Sequence, residues 1–195
     1  MDESQALQLF RNKLGNDIDE AAALDLVRAL DRIPLAVNQA AAYIYKRRPR
    51  VTVRSYLDKF RTSEREKHTL LRSDRGDLRR YEGVSNSVMV TWQVTFEQIR
   101  QERPLAAKLL SLMSRFHAQN IPEYILHGYS GNSSDDRERE FDENFEEDLD
   151  TLRGYSLVTV TALSGLLEMH SLVQFCTKFC DPDLRAELDE GMHFQ

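Results

Sequence analysis

The segment from Tyr155 to Phe179 constrains the fold more than any other part of the chain. Residues 155–161 are rich in β-branched side chains, 162–165 read Ala-Leu-Ser-Gly, and 166–169 form a short apolar run. That order predicts a β-hairpin. Directly after it, Leu172, Val173, Phe175, Cys176 and Phe179 recur at helical spacing. His170 therefore stands at a strand-to-helix junction. Backbone N–H groups at a helix start are unpaired and attract anions. On spacing alone the imidazole has two readings, a phosphate contact or a structural cap or packing residue.

The rest of the chain reads as helices. Asp2 or Ser4 can cap a first one carrying Leu7, Phe10 and Leu14, and Gly15-Asn16-Asp17 stops it. A second runs from about Glu20 to Leu30. Pro34 suits the first turn of a third, whose Ala36, Ala40, Ala41 and Ala42 allow close packing, with Asn38 and Gln39 facing out or bonded at an interface. A fourth spans about Val53 to Phe60. Residues 62–83 are polar with few apolar anchors and predict a linker or loop, in which Leu70 and Leu71 can dock. Beyond Ser85, Met89, Trp92, Phe96 and Ile99 share a helix face, and Pro104 opens the next helix. Ile121-Pro122 is expected to open a short helix ending near Gly128, and 131–136 to form a loop. An acidic helix then runs from about Glu138 to Leu152 with Phe141 and Phe145 inward, and Gly154 is expected to end it as a left-handed cap. Asp181-Pro182-Asp183 restarts a short helix.

These readings give a mainly α chain: an N-terminal four-helix unit followed by a winged-helix-like domain with a short β-hairpin. The expected boundaries are 1–62 for the helical unit, 63–84 for a charged linker, 85–181 for the second domain and 182–195 for a tail.

At 195 residues with 41% hydrophobic content, the chain can bury one sizeable core or two small ones. No apolar run approaches the roughly 20 residues of a membrane span, and Met1-Asp2-Glu3-Ser4 lacks a signal-peptide pattern. A cytoplasmic location is the expectation. The two cysteines, Cys176 and Cys180, lie four apart on one predicted helix without a second pair at zinc-site spacing. They read as buried thiols. The net charge of −6 is unevenly spread: residues 46–80 hold 13 basic and 5 acidic side chains, whereas 135–150 hold 10 acidic and 2 basic. Two solvated surfaces, or patches that meet each other or a partner, both fit.

Three stretches resemble one family. Met169-His170-Ser171, within Met-His-Ser-Leu-Val-Gln, is similar to the Met-His-Asp motif of NB-ARC ATPases, the STAND-type signalling NTPases of innate-immunity and cell-death receptors, and is closer to fungal-type members. Ser171 replaces the usual acidic residue of plant members. Residues 30–37, Leu-Asp-Arg-Ile-Pro-Leu-Ala-Val, resemble the Gly-Leu-Pro-Leu-Ala segment of the helical domain that follows the nucleotide-binding domain, with Arg32 where glycine is frequent. Thr91–Phe96, Ala106–Met113 and Ile121-Pro122 resemble the first helices of the fungal-type winged-helix unit. The resemblance implies that His170 contacts the β-phosphate of ADP and that Pro34 packs near the adenine.

That ATPase also needs Gly-x-x-x-x-Gly-Lys-[Ser/Thr] to cradle phosphates. None of the eight glycines precedes a lysine, so the resemblance covers the regulatory portion without its engine. The expected function is a relay module that closes over ADP and carries no catalysis of its own. ADP or ATP would enter only with a nucleotide-binding domain in cis or in trans. A C-terminal repeat domain is a further implied partner, and a membrane is not. A winged-helix nucleic-acid binder or protein-interaction module is the alternative. It calls for a basic recognition helix, but the helix after His170 offers only Lys178.

Overall fold

The computed structural model describes residues 1–73, 85–127, 138–161 and 165–180. The expected turn at 162–164, the loop at 131–136, the linker beyond Ser73 and the segment from 181 onward lie outside the described residues. So do the side chains of Leu70, Leu71, Phe141, Phe179 and Cys180. Among the described residues the chain is mainly α, with a small three-stranded antiparallel sheet. It divides into two compact units, Met1–Thr95 and Phe96–Gln195.

The first unit contains α1 (Glu3–Leu14), α2 (Glu20–Ala29), α3 (Pro34–Lys46), α4 (Val53–Ser73) and the start of α5 (Asn86–Glu102). Each early helix begins on a local signal. Asp2 and Gln5 form a reciprocal capping box on α1. The Asp19 side chain accepts from the Ala22 N–H on α2. Pro34 occupies the first turn of α3. Helix α3 packs against both α1 and α4. Its Ala36, Val37, Ala40, Ala41 and Ala42 are completely buried, and their small size lets neighbouring helices approach. Phe10, Leu26, Leu30, Tyr56 and Phe60 fill the remaining core, each wholly apolar side chain among them favouring the fold by about 1.5–3 kcal/mol. Gln39 is also fully buried, and neither its amide oxygen nor its amide nitrogen has a hydrogen-bond partner. It therefore faces neither solvent nor a bonded interface.

Helix α4 continues to Ser73, well past the Phe60 end expected from the apolar pattern. Once α4 has been nucleated against α2 and α3, polar residues of good helix propensity extend it without further apolar anchors. The change of compact unit falls inside α5, between Thr95 and Phe96.

The second unit holds the rest of α5, α6 (Pro104–Ser114), β1 (Ile121–Pro122), a 3₁₀ turn (Glu123–Ile125), α7 (Glu138–Gly154), β2 (Val158–Val160), β3 (Leu166–Met169) and α8 (Ser171–Cys180). The expected hairpin is β2–β3, with Val158 opposite Met169 and Val160 opposite Leu167. Strand β3 is central, in the order β1-β3-β2, and buries Leu167 and Met169 on one face. Helix α6 packs on α7 and α8.

Two local expectations are corrected. Ile121-Pro122 is itself an edge strand, paired with Leu167 and Leu166, and the short helix expected to follow it is a single 3₁₀ turn, Glu123–Ile125, flanked by Pro122 and ending before Gly128. Proline lacks an N–H and is tolerated at a sheet edge, while Ile121 is buried. Gly154 is the last residue of α7, not its left-handed cap. Ser156 takes that conformation, at φ 57°. The Leu157 N–H reaches back to the Leu152 carbonyl (3.1 Å) and the Ser156 N–H to the Arg153 carbonyl (2.9 Å), a Schellman closure. Leu152 and Leu157 are both buried there and supply its apolar contact.

Candidate nucleotide-contact residues

His170 follows the last residue of β3 and begins α8. Its carbonyl accepts from the Gln174 N–H (3.0 Å), the first turn of the helix. Its Nδ1 accepts from the Leu172 N–H (3.1 Å), a role more often filled by an Asp or Ser oxygen. The imidazole thus caps α8, and the residue is solvent-exposed, as is Ser171 beside it. The structural-cap reading and the anion-contact reading are compatible, since the ring nitrogen that caps the helix is not the one available to a ligand.

The junction is tied down on both sides. The Met169 N–H donates to the Ala118 carbonyl (2.8 Å). On the helix side, the Gln174 amide donates to the Ser114 carbonyl (3.1 Å) and to the Phe116 carbonyl. Those carbonyls lie at the C-terminal end of α6, where a helix leaves acceptors unsatisfied. Buried Val173 and Cys176 seat α8 on its apolar side. Gln174 sits one helical turn beyond His170, a spacing visible in the sequence; its two carbonyl partners, some sixty positions upstream, were not.

Pro34 lies in the first unit. It is exposed at the start of α3, with Ile33 as the helix-flanking residue (φ −81°). Two consecutive non-glycine residues in the left-handed region precede it, Asp31 (φ 53°) and Arg32 (φ 57°). The Arg32 N–H bonds the Val27 carbonyl (3.1 Å) and the Asp31 N–H the Arg28 carbonyl (3.1 Å), closing α2 with the same geometry that ends α7. Arg32 therefore adopts the glycine-favoured backbone itself. His170 and Pro34 belong to different units.

Among the described residues, His117 and His127 carry no ligand geometry. His127 stacks on Phe145, with ring centroids 4.7 Å apart. Among the described residues no cluster of His, Cys, Asp and Glu is arranged to hold a metal, and no helix is long and apolar enough to cross a membrane. Cys176 is buried, as expected. Charge is distributed unevenly in the folded chain too. Helix α7 exposes Glu146, Glu147 and Asp150, a face that repels nucleic-acid phosphate, whereas the end of α3 and the turn after it expose Lys46, Arg48 and Arg50.

One internal ion-pair cluster was not foreseen. Arg103, between α5 and α6, meets Asp148 (2.8 Å) and Glu147 (2.6 Å) of α7. Asp148 is fully buried. Nearby, the Tyr155 hydroxyl donates to Glu102 (3.1 Å).

A family model described as a domain of unknown function (DUF7779) matches residues 95–179. Over 184 residues, 91% of this chain, the sequence is 32% identical to a "nucleotide-binding leucine-rich repeat (NLR)-like protein" of Hyaloscypha variabilis (strain UAMH 11265 / GT02V1 / F). The similarity is to an NLR-like protein. The chain spans only 17% of that NLR-like relative. No solved structure matches the chain.

Proposed function

We propose that this chain is a regulatory relay module of a STAND-type signalling NTPase of the NLR type. It closes over ADP in the off state and passes the nucleotide state to neighbouring domains. The exposed His170 imidazole, fixed at the N-terminus of α8 with one ring nitrogen uncommitted, carries the reading. Similarity to an NLR-like protein supports it. So does the second unit's order of helix, strand, helix and hairpin, with the sheet arranged β1-β3-β2, which suits a winged-helix-like domain.

His170 and Pro34 are each a candidate nucleotide contact on its own unit. His170 would meet a phosphate oxygen, where the unpaired N–H groups of a helix start also favour negative charge. Pro34 would offer an apolar surface to the base. The phosphate cradle and the magnesium ligands must come from a separate nucleotide-binding domain, so the chain itself is assigned no catalytic step. Bound there, the nucleotide supplies the charge difference between two states, and the module responds only through contacts that differ between them. The setting is cytoplasmic, and a repeat domain follows in the larger protein.

The test is nucleotide release from a protein in which this chain follows its nucleotide-binding core. His170→Ala should speed ADP release by about tenfold or more, the equivalent of one hydrogen bond to a charged group, and shift the protein toward its active state. Unchanged ADP release in that variant rejects the role given to His170.

A further inference from the structure

We propose that Gln174 is a positioning residue for His170. By anchoring the start of α8 to the end of α6, it makes the imidazole commit Nδ1 to the helix and present Nε2–H outward as a fixed donor. The target of that donor, a phosphate oxygen, rests on the functional reading above; the control of the ring does not.

A neutral imidazole has one N–H and one acceptor nitrogen. The Leu172 N–H donates to Nδ1 at 3.1 Å, so Nδ1 is the acceptor and the ring proton sits on Nε2. This holds only while the Leu172 N–H stays aimed at the ring, which requires α8 to start at one place and one rotation. Gln174 supplies that constraint twice. Its backbone N–H closes the first turn on the His170 carbonyl (3.0 Å). Its side-chain amide has two N–H groups and two acceptors, the Ser114 and Phe116 carbonyls. On the other flank the Met169 N–H is held by the Ala118 carbonyl. One short segment, 114–118, therefore grips the chain on both sides of His170. An amide fits this role where a carboxylate of the same shape does not, because the partners are two acceptors.

The test reads ring nitrogens by NMR in the ¹⁵N-labelled chain, with His170→Asn assigning the signal. The neutral His170 of the parent chain should show protonated Nε2 and bare Nδ1. Gln174→Glu and Gln174→Met should both shift His170 toward a mixture of tautomers, with helix content unchanged by circular dichroism. A parent chain protonated at Nδ1 overturns the proposal. So does a parent-like tautomer in both Gln174 variants.

A second arm separates this from the functional reading, using ADP release from the protein in which the chain follows its nucleotide-binding core. His170→Asn retains an acceptor near the Nδ1 position but no donor at Nε2, and should release ADP about tenfold faster or more. His170→Gln places a donor near Nε2 without the cap, and should lie between. Unchanged release in His170→Asn overturns the nucleotide as target, while the tautomer result decides the positioning role independently.

Discussion

Asp31, Arg32, Ser156 and Asn120 hold left-handed backbone without being glycine, and each such residue stores strain of about 1 kcal/mol. Arg32 is exposed and its side chain contributes little to packing. Arg32→Gly should therefore stabilise the chain slightly, by about 0.5 kcal/mol, the strain relieved less the freedom that glycine adds to the unfolded state. Thermal unfolding would show it as a rise in Tm; a fall would mean that the Arg32 side chain contributes more than its strain costs. Gln39 is the opposite case, a relaxed backbone with a buried, unbonded amide. Gln39→Met keeps the volume and removes the unsatisfied polar atoms, so a gain of about 1–2 kcal/mol is expected in denaturant titration. Neither feature was legible beforehand. The sequence marks Gln39 as polar on an alanine-rich helix, but whether that side faces water depends on helices elsewhere in the chain. His170 was legible, because a histidine between a hairpin and a helix can occupy only a few positions. Its tether through Gln174 was not, because the acceptors are backbone carbonyls, which carry no residue-specific signal.

At the scale of elements, the Arg103 cluster joins the α5–α6 junction to α7. Asp148 is buried and Arg103 is about a third exposed, so the pair sits between the surface and the interior. Arg103→Ala would leave the Asp148 carboxylate buried with its cation gone, and should destabilise the second unit by about 3 kcal/mol. Hydrogen exchange would localise the loss to α6 and α7; equal loss in α1–α3 would argue for a global effect instead. The helices were readable because apolar residues recur on one face and local signals mark their starts: Asp2 and Pro34 both sit where the pattern placed them. The misread elements share a cause. Ile121-Pro122 is too short to show a period, and proline suits a helix start as well as an edge strand. Gly154 lies two residues before the true left-handed position, because Ser156 accepts a conformation usually left to glycine. The far part of α4 has no apolar stripe to announce it.

At the scale of the whole chain, acid should weaken the first unit. The hydrogen bond from Arg28 holds the Glu3 carboxyl below its usual 4.5, and the hydrogen bond from the Ala22 N–H, aided by Arg54, holds Asp19 below 3.8. Both are depressed in the folded state, so their contribution is present above the unfolded values and is lost as pH falls through the lower folded ones. The Tm should drop as pH falls below about 4.5, and Glu3→Gln with Asp19→Asn should flatten that drop; an equally steep profile in the double variant would assign the acid sensitivity to other carboxylates. Both groups lie at the surface, so added salt should diminish the effect. The small sheet bears on how copies of the chain behave together. Its two outer strands are β1, two residues ending in a proline, and β2, three residues. A bare strand edge is a template on which another chain can crystallise into fibrils, and brevity and proline are the usual protections. Pro122 thus closes one margin of the sheet to further growth, leaving Val160 on the opposite margin as the place where a foreign strand would first gain a hold.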